Sequence, residues 1–295
     1  MPFLSIVTPT YNRAHLLPEC LKSLLSQTDK DFEWIIVDDG STDDTQQVIG
    51  TFSAADFEFV YIKKENGGKH TALNAAHAHI HGQYVLILDS DDCLTGDAVE
   101  KVKREWKKWQ SHKEIGIVTF LKGEAAECPV CTVRDFDTPV DILRYKRTCI
   151  SGSDCCEVIR SELFLKYPFP EFQGERFIAE CALWNRVAMT YKCVYVNEVI
   201  FICEDLEGGL TKSGRALRIQ NPRGGMFISQ LRMDRRNYFS QRVKYGLLYT
   251  CYGRFAGIGV RQMTRECRAR GLMWLCLPFG QALYFYWKHK YGDHK

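Results

Sequence analysis

The chain has 295 residues, 45% apolar and 25% charged, which suits one large domain or two ordinary ones and excludes a disordered tail protein or a small stapled scaffold. Lys and Arg total 39 against 36 acidic residues, a formal net charge of +3 that hides a strong asymmetry. Residues 211–295 carry 17 basic and 3 acidic side chains, or +14, leaving 22 basic and 33 acidic, or −11, in the first 210.

Met1 runs straight into the apolar stretch 3–7 without a basic leader, and the thirteen cysteines are scattered. A reducing, cytosolic setting is expected. In chain order, residues 3–8 read as a strand, 16–25 as a helix, 32–37 as a strand, 44–52 as a helix and 57–62 as a strand. Then come a helix over 71–79, a strand over 84–88, a helix over 98–109 and a strand over 115–121. This alternation predicts an α/β fold with a mostly parallel sheet flanked by helices. Such sheets bind ligands at the loops leaving their strands.

Polar residues collect at three of those strand ends. Thr8-Pro9-Thr10-Tyr11-Asn12-Arg13 follows the first strand, Asp38-Asp39-Gly40-Ser41-Thr42-Asp43 the second, and Asp89-Ser90-Asp91-Asp92 the fourth. A turn and helix cap account for one carboxylate of the second cluster, and a strand-end carboxylate can also accept hydrogen bonds from a ribose or a base. In the third cluster three carboxylates crowd behind the most apolar strand of the chain. A hard divalent cation would relieve their repulsion and keep open positions for diphosphate oxygens.

Asn66-Gly67-Gly68-Lys69-His70 looks like a loop entering a helix, where Lys69 either pairs with phosphate or is solvated. No G-x-x-x-x-G-K-[ST] or G-x-G-x-x-G motif follows the first strand, which argues against an NTPase or a dehydrogenase. His77 and His81 have metal-like spacing but no third ligand and read as a polar helix face. Cys128, Cys131, Cys155 and Cys156 read as free thiols rather than a zinc site, since adjacent strand residues face opposite ways. Phe136, Tyr145 and Tyr167 are aromatic surfaces able to stack on a sugar, though such residues more often pack in a core.

Taken in this order, the three strand-end motifs resemble family 2 glycosyltransferases of the GT-A fold, over residues 3 to about 210. The resemblance implies an inverting transfer from a nucleotide sugar, commonly a UDP-sugar, to a hydroxyl of a glycan or lipid-linked acceptor. It implies that Pro9 and Tyr11 line the base pocket, that Asp39 hydrogen-bonds the base, and that Lys69 lies near base and phosphates. Asp89 would face the ribose, while Asp91, helped by Asp92, would hold Mn²⁺ or Mg²⁺ on the diphosphate.

Inverting transfer needs a general base for the acceptor hydroxyl. The stretch Gly174-Glu175-Arg176-Phe177-Ile178-Ala179-Glu180-Cys181 resembles the family's acidic segment before a helix, where a Glu-Asp pair is common, and points to Glu180. Cys181 departs from that pair. Glu175 and Asp154 are alternative bases, and Glu204 or Asp205 could approach the metal from a glycine-bearing loop.

The organisation expected is a nucleotide-sugar-binding and catalytic domain over 1–210 and a basic, aromatic-rich helical tail over 211–295. Three helical stretches are predicted in the tail, near 216–234, 238–261 and 264–289. Residues 271–287 carry no charge, but Pro278 and Gly280 interrupt a run already short for spanning a membrane. The tail reads as an interfacial anchor lying on an anionic leaflet at the cytoplasmic face of the plasma membrane, aromatics inserted and Lys and Arg outward, or as a helical subdomain packed on the sheet or on a second copy in a homodimer. Nothing in it resembles a nucleic-acid-reading element. A catalytically silent nucleotide-sugar binder is the alternative to an enzyme, with Cys181 as its support. A nucleotidyltransferase is disfavoured because no Gly-rich basic loop follows the first strand.

Overall fold

Two largely apolar strands lie side by side in the sheet. These are β1 (Leu4–Thr10) and β2 (Phe32–Asp38), both buried along their whole length, as expected of strands covered on both faces. The computed structural model describes residues 1–52, 56–145, 148–149, 155–203 and 210–291. The chain divides into two compact units, Met1–Pro168 with Thr190–Asp205, and Phe169–Met189 with Leu206–Lys295. Residues 169–189 therefore group with the C-terminal helices rather than with the body in which the sequence reading put them.

In the first unit, β3 (Glu58–Lys63) and β4 (Tyr84–Ile87) join β1 and β2 in a parallel group ordered β3-β2-β1-β4. The short β5 (Cys93–Leu94) leads to the long β6 (Ile115–Ala125), and the two-residue strands β7 (Cys128–Pro129), β8 (Cys131–Thr132), β9 (Pro139–Val140) and β10 (Thr148–Cys149) follow. The sheet continues through β11 (Cys156–Arg160), antiparallel to both β4 and β6, and then β12 (Lys192–Ile202), parallel to β6 and antiparallel to β5. Its first four strands are parallel, as expected, but the insertion of β11 makes the whole sheet mixed.

Helices α1 (Leu17–Leu25), α2 (Thr45–Gly50), α3 (Lys69–Ala75) and α4 (Ala98–Trp109) follow β1, β2, β3 and β5, and α5 (Ser161–Lys166) follows β11. On α1 the buried Leu17, Cys20 and Leu24 recur at the spacing of one helical face and pack into a core with Trp34, Leu86 and Trp106. Tyr84 stacks on Trp106 with centroids 4.1 Å apart. The helix expected over 71–79 starts at Lys69 and tightens into a 3₁₀ turn over Ala76–His79.

The second unit is helical: α6 (Cys181–Val187), α7 (Leu210–Gln220), α8 (Pro222–Arg232), α9 (Phe239–Phe255), α10 (Val260–Glu266) and α11 (Arg270–Tyr291). Met226, Tyr249, Tyr252, Met263, Met273 and Trp287 form its core. Helices α9 and α11 approach closely at Gly280, where a Cβ would collide with Thr250 Oγ1 and come within 2.8 Å of the Leu247 carbonyl oxygen. Pro278 does not interrupt α11, contrary to the sequence expectation. It sits on the solvent face, where water can take the carbonyl that loses its amide partner. Among the described residues no helix is long and apolar enough to cross a membrane.

Candidate active site

Parallel pairing of β1 with β2 and β4 brings the carboxyl ends of these three strands to one edge of the first unit. The loops there are laced together. Asn12, in the left-handed region at φ 52°, donates its backbone N–H to Ser41 Oγ at 2.9 Å and accepts the Thr42 N–H at 2.8 Å. The Ala14 N–H donates to Asp43 Oδ2 at 3.0 Å. Gly40 has φ +83° and lies so close to the next loop that a Cβ would sit 2.8 Å from the Asn66 nitrogen.

Asp39 organises that next loop. Its carboxylate, 3% exposed, accepts hydrogen bonds from Lys64 Nζ at 2.7 Å, Gly67 N at 3.0 Å and Gly68 N at 2.6 Å. A carboxylate has about four acceptor positions, so capacity for one ligand donor remains. Asp38 faces inward, taking the Ser41 N–H at 2.7 Å and the Tyr61 hydroxyl at 2.8 Å. Pro9 is buried in β1 beside Val37, whereas Tyr11 is 46% exposed on the loop that follows.

Each of Asp89, Asp91 and Asp92 offers a carboxylate oxygen within 4.8 Å of the others. Lys69 Nζ lies 2.5 Å from Asp89 Oδ1, and Arg13 Nη1 lies 2.5 Å from Asp91 Oδ2. Lys69 thus pairs with the acidic cluster, an outcome outside the two left open by the sequence. Desolvation works to raise the Asp89 pKa, but Lys69, then Lys122 and Arg13, outweigh it and hold that carboxyl below its usual range. Asp92 goes the other way: burial, then the charges of Asp89 and Asp91, push it up to about 7 against the pull of Lys122 and Lys69. The all-oxygen donor set of three converging carboxylates fits a hard divalent cation, which would take over the charge compensation that Lys69 and Arg13 supply.

Arg13, Lys64 and Lys122 belong to this constellation and were not singled out in the sequence. Arg13 stands in the first motif and Lys64 next to the second loop's partner, but their pairing depends on contacts distant in the chain. Lys122 lies on β6, its ammonium 4.1 Å from the Phe201 ring centroid.

Other candidates take structural places. His77 packs edge-on against Phe164 at 5.1 Å, while His81 Nδ1 lies 2.9 Å from Glu33 Oε2, so the two histidines share no site. Among the described residues, the three aspartates are the only group of three or more His, Cys, Asp or Glu side chains that converges on one point. Cys131 and Cys155 are buried thiols with sulfurs 3.3 Å apart, and Cys128 is exposed. The Tyr145 hydroxyl accepts the Arg134 and Asp135 N–H groups, and its ring stacks on Tyr195 at 5.1 Å.

In the second unit, Glu180 stands half-buried at the start of α6, its carbonyl accepting the Leu183 N–H at 2.8 Å. Glu175 caps α8, accepting Arg223 N at 2.6 Å and Gly224 N at 2.8 Å, and its burial outweighs these bonds to raise its pKa. Both of its oxygens are engaged in holding that helix end, which argues against Glu175 as the base. Asp154, Glu204 and Asp205 lie outside the described residues.

Comparison with known proteins bears on this arrangement. The model described as "Glycosyl transferase family 2" matches residues 5–160. The chain is 25% identical over 222 residues to the glycosyltransferase GlyG of Streptococcus pneumoniae serotype 4, covering 71% of this chain and 73% of that protein. It is 42% identical over 108 residues to chondroitin synthase of Pasteurella multocida, covering 37% of this chain. The chain spans only 11% of that synthase and 16% of the pneumococcal glycosyltransferase GlyA. In structure it resembles S. aureus TarS 1–349 in complex with UDP-GlcNAc, with a TM-score of 0.64 and 16% identity, covering 96% of this chain and 79% of that one. It also resembles the mannosyltransferase PcManGT from Pyrobaculum calidifontis in complex with GDP-Man and Mn²⁺, with a TM-score of 0.57 and 19% identity over 99% and 83% of the two chains. At such identities these structures speak to the fold alone, the mixed sheet and flanking helices of the GT-A type.

Proposed function

The chain belongs to glycosyl transferase family 2, and from that premise we propose that it is an inverting, metal-dependent enzyme that moves a sugar from a UDP-sugar to a hydroxyl of a glycan or lipid-linked acceptor. The observation that carries this reading is the meeting of Asp89, Asp91 and Asp92 within 4.8 Å of one another, on the sheet edge where Asp39 holds the 64–68 loop. Pro9 and Tyr11 line the base, Asp39 accepts a hydrogen bond from it, Asp89 faces the ribose, and Lys69 serves the phosphates. Asp91, with Asp92, holds Mn²⁺ or Mg²⁺. When bound, that ion supplies charge neutralisation for the departing diphosphate. The presence of UDP-GlcNAc in the TarS complex and of Mn²⁺ in the PcManGT complex supports both choices.

Glu180 takes the proton of the attacking hydroxyl, so the acceptor oxygen gains nucleophilicity as it closes on the anomeric carbon. A carboxylate suits this role better near neutral pH than the thiol of the adjacent Cys181. The donor-binding residues belong to the first unit, and Glu180 and the basic helical tail over 211–295 belong to the second. The tail rests on the cytoplasmic face of the plasma membrane, which brings the active site to a lipid-linked acceptor.

Thermal shift against UDP, GDP and their sugars, with and without Mn²⁺, tests the donor reading. A UDP-sugar at a hundred times its Kd should add about 2.7 kcal/mol, and only with the cation present. Transfer should then yield the inverted anomer by NMR and vanish in Asp91→Ala and Glu180→Gln. Donor binding without transfer or hydrolysis would make the chain a silent binder, and turnover in either variant would remove that residue from its role.

A further inference from the structure

Helix α11 turns an apolar face outward. Trp274, Leu275, Pro278, Phe279, Phe285 and Tyr286 follow one another at helical spacing and are all exposed, Leu275 at 64% and Phe279 at 67%. The opposite face, with Met273, Leu277 and Trp287, fills the core of the helical unit, so the outward face is not needed to hold the fold. From Trp274 to Tyr286 the stripe is about 18 Å long. A patch of this kind on a soluble surface marks a contact site.

Charge identifies the occupant. Arg268 and Arg270 are exposed at one end of the stripe, and Lys288 and Lys290 at the other. Between residues 239 and 291 there are nine basic side chains and one acid, Glu266, which already pairs with Arg223 at 3.1 Å. Were two copies to meet face to face, parallel stripes would set each basic end against its equivalent. Antiparallel stripes would set the arginine end against the lysine end. Either way like charges face each other, whereas a layer of anionic phosphates answers both ends at once.

We infer that the outward face of α11 docks in the plane of an anionic phospholipid bilayer, with its aromatic stripe at the headgroup–acyl boundary and Arg268, Arg270, Lys288 and Lys290 on the lipid phosphates. The inference rests on the membrane reading proposed above and adds the helix, its inserted face and the basic residues that meet the phosphates. With basic residues at both ends of its apolar stripe, α11 lies flat. Pro278, on the inserted face, has no N–H for the Trp274 backbone carbonyl, and at headgroup depth that carbonyl meets polar groups rather than hydrocarbon.

Flotation of the full chain with phosphatidylcholine vesicles, with and without phosphatidylglycerol, tests it. Binding should rise roughly tenfold or more with phosphatidylglycerol. It should be lost in Phe279→Ser/Phe285→Ser and fall to the neutral-vesicle level in Lys288→Glu/Lys290→Glu. The thermal shift given by UDP with Mn²⁺ should be unchanged in both variants. Failure of this shift with vesicle binding intact would count against the donor reading alone. Equal binding to both vesicle types would overturn the charge assignment. No vesicle binding, with a concentration-dependent dimer that Phe279→Ser/Phe285→Ser abolishes in sedimentation, would overturn the inference and assign the face to a second copy.

Discussion

Arg13 places Nη1 2.5 Å from Asp91 Oδ2, so a guanidinium answers the charge of the carboxylate assigned to the cation. The two residues sit at the ends of different strands and meet only because β1 and β4 are neighbours. A divalent ion entering the cluster must compete with that pairing, and the displaced guanidinium becomes available to a diphosphate. Arg13→Gln should therefore tighten Mn²⁺ binding in the absence of nucleotide by about two- to fivefold, the worth of a partly exposed ion pair. It should weaken UDP binding at saturating Mn²⁺. Titration of free Mn²⁺ by electron paramagnetic resonance, with and without UDP, reads both effects. Unchanged affinity for the ion alone would mean that Arg13 does not compete for Asp91.

Asp39 supports the 64–68 loop through three donors, and an isosteric amide cannot accept them all. Asp39→Asn must turn an NH₂ toward either Lys64 and Gly67 or Gly68. The mismatch should cost about 1–3 kcal/mol in urea unfolding, the usual consequence of leaving a buried polar group unsatisfied. UDP affinity should fall as well. A folded Asp39→Asn protein that binds UDP like the parent would take the base-binding role away from this residue.

Glu33 sets a prediction in pH. It is buried in β2 and accepts the Ser5 hydroxyl at 2.5 Å, the His81 N–H at 2.6 Å and the Gly82 N–H at 3.0 Å. Burial alone would raise its pKa, but the Ser5 and His81 hydrogen bonds, with that of Gly82, carry it below the ordinary carboxylate value. The unfolded chain therefore binds this proton more readily than the folded one. The stabilisation from Glu33 is complete above the ordinary carboxylate range and disappears as pH falls through the lowered value. Glu33→Gln should lower stability at pH 7 and flatten part of the acid-side slope in urea unfolding measured from pH 7 downward. An unaltered slope would assign the acid sensitivity to other carboxylates.

What the sequence makes legible follows from what is local. Strands β1, β2, β3, β4 and β6 announce themselves as apolar runs, and the loops after β1, β2 and β4 carry their polar residues openly. Once the strands are parallel, those loops must share an edge. The short β11 is different: Cys156–Arg160 holds Glu157 amid its apolar residues and becomes a strand by pairing with β4 and β6, both remote in the chain. The pairings Lys69–Asp89, Arg13–Asp91 and Lys64–Asp39 are equally non-local, which is why Asp39, Lys69, Asp89 and Asp91 could be proposed for a ligand while their partners within the fold stayed hidden. The tail helices were visible from composition. The breaks at Asn221 and near Gly257 and Cys267, which turn three stretches into α7 to α11, depend on packing and turn geometry that periodicity does not resolve.

The late arrival of β11 has a bearing on biosynthesis. β4 ends at Ile87, yet the strand that pairs along its other side runs to Arg160. At ribosomal rates of 5–20 residues per second, the nascent polypeptide displays one flank of Tyr84–Ile87 unpaired for about 4–15 s. An apolar strand in that condition recruits other chains. Pausing of translation between these two points should lower soluble yield, and a holdase chaperone has its natural target there.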